Sequence, residues 1–174
     1  MRTPDRPSPD AAGADSGTVI TVLPGQLYFG RGVKLKTLLG SCIGLTLWHP
    51  RSRLGGMCHF MLPGRLRRPD APLDGRYGDE AIAVLVDRII ESGTRTQDYV
   101  AHLYGGADTL PDASRLKTNV GERNIETAWS LVEQHGFQLE GVDVGDNVPR
   151  SVTLDLQTGV VTMNRGAPTN SGRR

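Results

Sequence analysis

Apolar and polar residues fall into short blocks along this chain, and most blocks carry a recognisable period. Ile43 to Trp48 and Leu54 to Met61 are dense apolar runs, separated by His49-Pro50-Arg51-Ser52-Arg53. Short apolar runs bounded by turn residues read as buried strands, so this pair predicts a hairpin. Upstream, Thr18 to Leu23 is a β-branched strand ended by Pro24-Gly25, and Leu27 to Phe29 continues the edge. Gly30-Arg31-Gly32 marks a turn, and Val33 to Leu38 leads into Gly40-Ser41-Cys42.

The second half changes period. Residues 64–77 hold Pro69, Pro72, Gly64, Gly75 and four arginines, which predicts a surface loop, either a solvated connection or a lid over a nearby site. Asp79 to Ser92 places Ile82, Leu85, Val86, Ile89 and Ile90 on one helical face, with Gly93 suited to the C′ position. Asp98 to Tyr104 reads as a strand containing a structural His102. Gly105-Gly106 after it either admits close backbone approach or only marks a turn. Asn119 and Glu122 have capping-box spacing for a helix that runs to about His135, with Ile125, Ala128, Trp129 and Val132 as its stripe and Gly136 as its stop. Phe137 to Val144 is a strand, residues 145–149 a loop, and Ser151 to Asp155 with Val160 to Met163 a closing hairpin. The order predicts an α/β (α+β) class: a layered, mixed, mainly antiparallel sheet core with helices packed on the sheet faces.

Composition narrows the picture. The 174 residues suffice for one core-bearing domain, placed at 18–165, between a Pro/Asp/Ala/Gly/Ser-rich tail expected to be disordered over 1–17 and a flexible tail over 166–174. A formal net charge of +1 gives no electrostatic pointer to nucleic acid. No apolar run reaches eighteen residues and the N-terminus has no apolar h-region, so neither membrane insertion nor export is expected, and the chain is placed in the cytoplasm. The two cysteines, Cys42 and Cys58, then suit a reducing compartment better than a disulfide framework. With His59 they make too few ligands for a metal, so no metal or organic cofactor is expected.

The candidate chemistry lies at the open end of the first hairpin. If Trp48 faces Leu54, Ile43 faces His59; a turn one residue shorter sets Cys42 opposite His59. A bulge at Gly55-Gly56 is a third possibility. Each leaves a thiol near an imidazole, which can take the proton and hold it as an ion pair. Gly40 and Ser41 before the sulfur predict a tight turn whose N–H groups could face an oxyanion. Cys58 points to the face opposite His59 and reads as a core thiol. The plain alternative is that Cys42 is also a buried apolar filler and His59 a satisfied core residue.

Seven collinear pieces over about residues 18–165 resemble the CheD family of chemoreceptor glutamine deamidases. They are T-L-L-G-S-C at 37–42, G-G-M-C-H-F-M-L-P at 55–63, Y-G-D-E-A at 77–81, Y-G-G-A-D at 104–108, N-V-G-E-R-N at 119–124, D-V-G-D-N-V-P-R-S-V at 143–152 and T-G at 158–159. The resemblance implies a toxin-deamidase-like cysteine-hydrolase fold, Cys42 as nucleophile, His59 as general base and Thr37 as third member. Lys36, its neighbour, has no comparable role. It implies receptor glutamines as substrate, chemoreceptor cytoplasmic helices as partner, and a CheC-type phosphatase as a second partner. Two other classes stay open: a non-catalytic adaptor docking on receptor or phosphatase, and a thiol peptidase or ester hydrolase, including one that removes receptor methylesters.

Overall fold

The computed structural model describes residues 17–109 and 119–167. The expected tails at 1–17 and 166–174 lie almost wholly outside the described residues. The strands are β1 (Val19–Thr21), β2 (Leu27–Gly30), β3 (Lys34–Leu39), β4 (Ile43–Trp48), β5 (Gly55–Phe60), β6 (Val100–Gly105), β7 (Gln138–Val144), β8 (Arg150–Asp155) and β9 (Val161–Arg165). The helices are α1 (Gly78–Glu91) and α2 (Val120–His135), with a 3-10 turn at Thr96–Asp98.

The strands form two sheets. One runs β1-β3-β8-β9 and the other β2-β5-β4-β6-β7. Only the β1–β3 and β6–β7 pairs are parallel, so the expected mainly antiparallel, layered α+β class holds. Sequence-adjacent strands separate more than the pattern predicts: after Pro24-Gly25 the chain leaves the four-stranded sheet, and β2 becomes the edge of the other.

Two apolar clusters fix the layering. Ile43, Leu45, Leu47, Cys58, Phe60 and Leu103 on one face of the five-stranded sheet pack with Ile82, Leu85, Ile89, Ala128 and Val132 of the helices. Met57 and Tyr104 on its other face pack with Leu35, Leu39, Val152 and Leu154 of the four-stranded sheet. Each fully buried aliphatic side chain contributes roughly 1.5–3 kcal/mol relative to exposure, so these clusters, and not the loops, hold the three layers in place.

Both helices lie where expected, α1 one residue earlier at each end than the pattern predicts. The Asn119 side chain accepts from the Glu122 N–H at 3.1 Å, and Gly136 closes α2 in the left-handed region at φ 72°. Their apolar stripes are narrower than expected. Ile90 is 64 % exposed and Trp129 41 %, its indole donating to Glu133. Both sit on the flank of a stripe that the sheet covers only at its centre. The arginine-rich loop is tied down rather than free: Arg65 pairs at 2.8 Å with the buried Glu80, and Arg76 with Asp74.

Candidate active site

The chain crosses from one sheet to the other between β3 and β4, and Cys42 sits in that crossing. Thr37 lies before it on β3. His59 lies beyond it on β5. The site therefore occupies the seam where the sheets meet.

The hairpin register differs from every expected one. Trp48 pairs with Gly55, Gly44 with His59 and Ile43 with Phe60, without a break at Gly55-Gly56. The turn is one residue longer because Arg53 takes a left-handed conformation at φ 56° and Leu54 stays outside the ladder. This slip decides the geometry, because opposed residues share a face and each one-residue shift exchanges the faces. Ile43 opposite His59 would have set Cys42 on the other side of the sheet. Gly44 opposite His59 puts the side chain two positions earlier, Cys42, on the His59 side. Cys42 accordingly packs against the inter-sheet cluster of Leu39, Met57 and Tyr104. Gly44, opposite His59, leaves room on this face for the Leu39 and Thr37 side chains, which a Cβ there would meet at 3.0 and 3.6 Å.

Thr37 arrives from the opposite sheet. In Lys34–Leu39 the residues alternate exposed and buried, so Lys36 faces out and Thr37 faces in. Its Oγ1 donates to the Val22 carbonyl at 2.7 Å and lies 2.8 Å from His59 Nδ1. A hydroxyl has one proton, and a carbonyl can only accept. The Thr37 proton is committed to Val22, so Nδ1 must be the donor in the second bond. The neutral ring is then protonated at Nδ1 and bare at Nε2. That Nε2 is buried and has no partner. The imidazole is 2 % exposed, and burial holds its pKa below the usual histidine value, with the Val22 carbonyl pulling the other way.

Cys42 is half-buried, and desolvation raises its thiol pKa while its own N–H opposes the shift. Burial thus favours the uncharged form of both groups. The sequence reading expects an ion pair, whereas this buried setting favours a thiol and a neutral imidazole on the same face of the sheet. Cys58 is fully buried on the helix side, its pKa pushed up to about 12, as a core thiol should be.

The turn itself is held by its carbonyls. Gly40 O accepts from Ala107 N at 3.0 Å, Cys42 O from Gly106 N at 2.9 Å, and Ser41 O from the Asn124 side chain at 3.1 Å. Gly105-Gly106 makes this possible. Both have positive φ, and a Cβ on Gly105 would strike the Cys42 carbonyl. Beside the turn opens a cavity of about 130 Å³ lined by Ser41, Ala107, Asp108, Thr109, Asn119 and Gly121. No group of three His, Cys, Asp or Glu side chains able to hold a metal occurs among the described residues.

One residue of this region escaped the sequence reading. Asn124 is fully buried on α2, in phase with Gly121 and Ala128, where an apolar residue is the default. A polar side chain at a core phase of the helix was the available signal.

Comparison with known proteins agrees with the sequence motifs. The family model described as CheD chemotactic sensory transduction matches residues 61–165. A Pseudomonas savastanoi pv. phaseolicola protein named "Probable chemoreceptor glutamine deamidase CheD" is 44% identical over 146 residues, covering 82% of this chain and 81% of its own. A protein of the same name from Pseudomonas fluorescens is 45% identical over 147 residues, covering 83% and 82%. "Probable chemoreceptor glutamine deamidase CheD 1" of Chromobacterium violaceum is 40% identical over 158 residues, covering 90% and 82%. Among solved structures, the Bacillus licheniformis hypothetical protein YfiH covers 67% of this chain and 49% of its own at 14% identity and a TM-score of 0.43, too slight a likeness to bear on the fold. The full-length relatives align across the crossing turn as well as the helices, and on them and the family match the chain belongs to the CheD family.

Proposed function

We propose that this chain is a protein-glutamine deamidase that converts glutamine side chains on the cytoplasmic helices of bacterial chemoreceptors to glutamate. The observation that carries the proposal is the Thr37 hydroxyl, whose commitment to Val22 leaves His59 with a bare Nε2 on the Cys42 side of the sheet. The names of the curated relatives supply the substrate class.

The chemistry follows from these groups. His59 Nε2 takes the Cys42 proton as Sγ attacks the carboxamide carbon. The carbonyl oxygen becomes an oxyanion, which the N–H groups of the Gly40-Ser41-Cys42 turn receive. The imidazolium returns its proton to the amide nitrogen, ammonia leaves and a thioester remains. Neutral His59 then deprotonates water, which attacks the thioester; the proton returns to sulfur, and the products are glutamate and free Cys42. Thr37 holds the ring in one tautomer throughout.

In this proposal the chain works in the cytoplasm, with a CheC-type phosphatase as a second partner. Two unpaired cysteines suit that compartment, and no helix among the described residues is long and apolar enough to cross a membrane.

The test is mass spectrometry of a chemoreceptor cytoplasmic fragment before and after incubation. Deamidation makes one glutamine peptide about 1 Da heavier, and methylester hydrolysis makes a peptide about 14 Da lighter. An unchanged fragment, or a change that persists with Cys42→Ala, defeats the proposal.

A further inference from the structure

The nucleophile turn and the end of the His59 strand are separate segments, and no pair of the β4–β5 ladder includes Cys42. Asn124 joins them from below. Its Nδ2 donates to the Ser41 carbonyl at 3.1 Å and to the Met61 carbonyl at 2.9 Å. One bond thus ends one residue before the proposed nucleophile and the other two residues after the proposed base. The amide orientation is fixed by its neighbours: turned over, Oδ1 would face two oxygens that cannot donate. Both amide protons are consumed, and Oδ1 is left buried without a partner. An interior position retains such an unsatisfied atom at a cost, and an apolar side chain of the same size would remove it.

The neighbouring anchors show what the amide adds. Gly40 and Cys42 are held by backbone N–H groups of Ala107 and Gly106. The Ser41 carbonyl is held by a side chain, and that side chain also reaches Met61, just past the end of β5. Asn124 lies on the interior face of α2, shared with Ala128 and Val132, and is 0 % exposed. It cannot touch substrate and must act through the segments it holds.

We propose that Asn124 is a positioning residue that sets the Cys42 turn against the His59 strand, so that Nε2 can take the thiol proton. This deepens the deamidase reading and rests on it for the assignment of roles.

The test uses the full chain with Asn124→Leu, which keeps the volume, and Asn124→Asp, which keeps the shape but has no donor when ionised. Three quantities are compared with parent, His59→Ala and His59→Ala/Asn124→Leu proteins: the rate of iodoacetamide reaction at Cys42 near pH 7.5, the KM and kcat on a receptor fragment, and the thermal melt. Cys58 is fully buried in the helix-side core and should stay unreactive in the folded protein, so alkylation reports Cys42. The expected result is a cooperative melt in at least one variant, with alkylation reduced about tenfold, to the level of His59→Ala, and no further fall in the double variant. The kcat falls by about the same factor while KM stays within about twofold. Parent-like reactivity in both variants, additive loss in the double variant, or loss of the cooperative melt in both would overturn the proposal. A parent protein that leaves receptor mass unchanged defeats the deamidase reading alone, because the alkylation cycle still decides the role of Asn124.

Discussion

The Thr37 hydroxyl bridges His59 Nδ1, at 2.8 Å, and the Val22 carbonyl, at 2.7 Å. Its single proton goes to Val22, so the ring must donate from Nδ1 and keep Nε2 bare. Thr37→Val removes the hydroxyl that faces His59 Nδ1 with little change in volume and frees the ring to change tautomer. Deamidation should fall about tenfold, the equivalent of one hydrogen bond of roughly 1.4 kcal/mol. Thr37→Ser keeps the hydroxyl and should retain most activity. Steady-state kinetics of the two variants settle the point: equal losses would mean that Thr37 matters for packing only.

The acid limb of the pH–activity profile should lie below pH 6.5. The proposed mechanism needs neutral His59, and burial depresses its pKa from that value. The same shift makes stability pH-dependent. Between the folded and unfolded pKa the unfolded chain binds more protons, so stability rises with pH through that window. It is complete above about 6.5 and lost as pH falls toward the folded value. His102, stacked on Tyr104 and also depressed by burial, acts in the same window with Glu140 opposing. Urea midpoints measured from about pH 5 to 7 should therefore slope upward, and less steeply in His59→Ala. An acid limb above 6.5 would mean that a different group controls activity.

Thiol labelling should separate the two cysteines. Cys42 is half-buried with a raised pKa, so its alkylation rate should still be climbing above pH 9. Cys58, at about 12 and inside the helix-side core, should react only after denaturation. One label per chain in buffer and two in denaturant is the expected count by mass spectrometry.

Local pattern made much of this site legible before any coordinates. The bounds of Ile43–Trp48 were readable to the residue, and Thr37 was named by the family resemblance, while its inward orientation shows only in the burial of Lys34–Leu39. What could not be read depends on non-local choices. The hairpin register turned on Arg53 entering the left-handed region, where arginine gives no advance signal. That β2 would leave β1 for the far sheet followed from packing, not from the apolar run itself. Asn124 looked like one more polar helix residue because its partners, Ser41 and Met61, lie more than sixty positions away.

The glycine that ends β6 offers a control on the crossing turn. Gly105→Ala, at φ 106°, would drive a Cβ into the Cys42 carbonyl. Gly93→Ala, at φ 77°, would meet nothing within 4 Å. Both should lose roughly 1–2 kcal/mol from the left-handed backbone alone. Only Gly105→Ala should also lose deamidation, because it displaces the turn that carries the nucleophile. Activity measured well below each variant's melting temperature separates strain from misplacement.

The last prediction concerns how the site end of the fold is locked. Arg150 is fully buried, pairs with Asp143 at 2.8 Å and donates to the Gly105 carbonyl, so it ties β8 to β6 and β7 just behind the crossing turn. Burial opposes ionisation of Asp143, and hydrogen bonds from Arg165 and Arg150 outweigh it, keeping the carboxylate charged. Removing one partner of a buried pair strands the other charge, so Asp143→Ala should destabilise by about 3–5 kcal/mol. Arg95 and Asp98 make a similarly short pair, 3.0 Å, but Arg95 is 75% exposed. Solvent screens that pair, and Asp98→Ala should leave the denaturant midpoint almost unmoved. Denaturant midpoints of the two variants decide the matter. Equal losses would mean that burial at Arg150 adds nothing, and that the seam between the sheets rests on its apolar cluster alone.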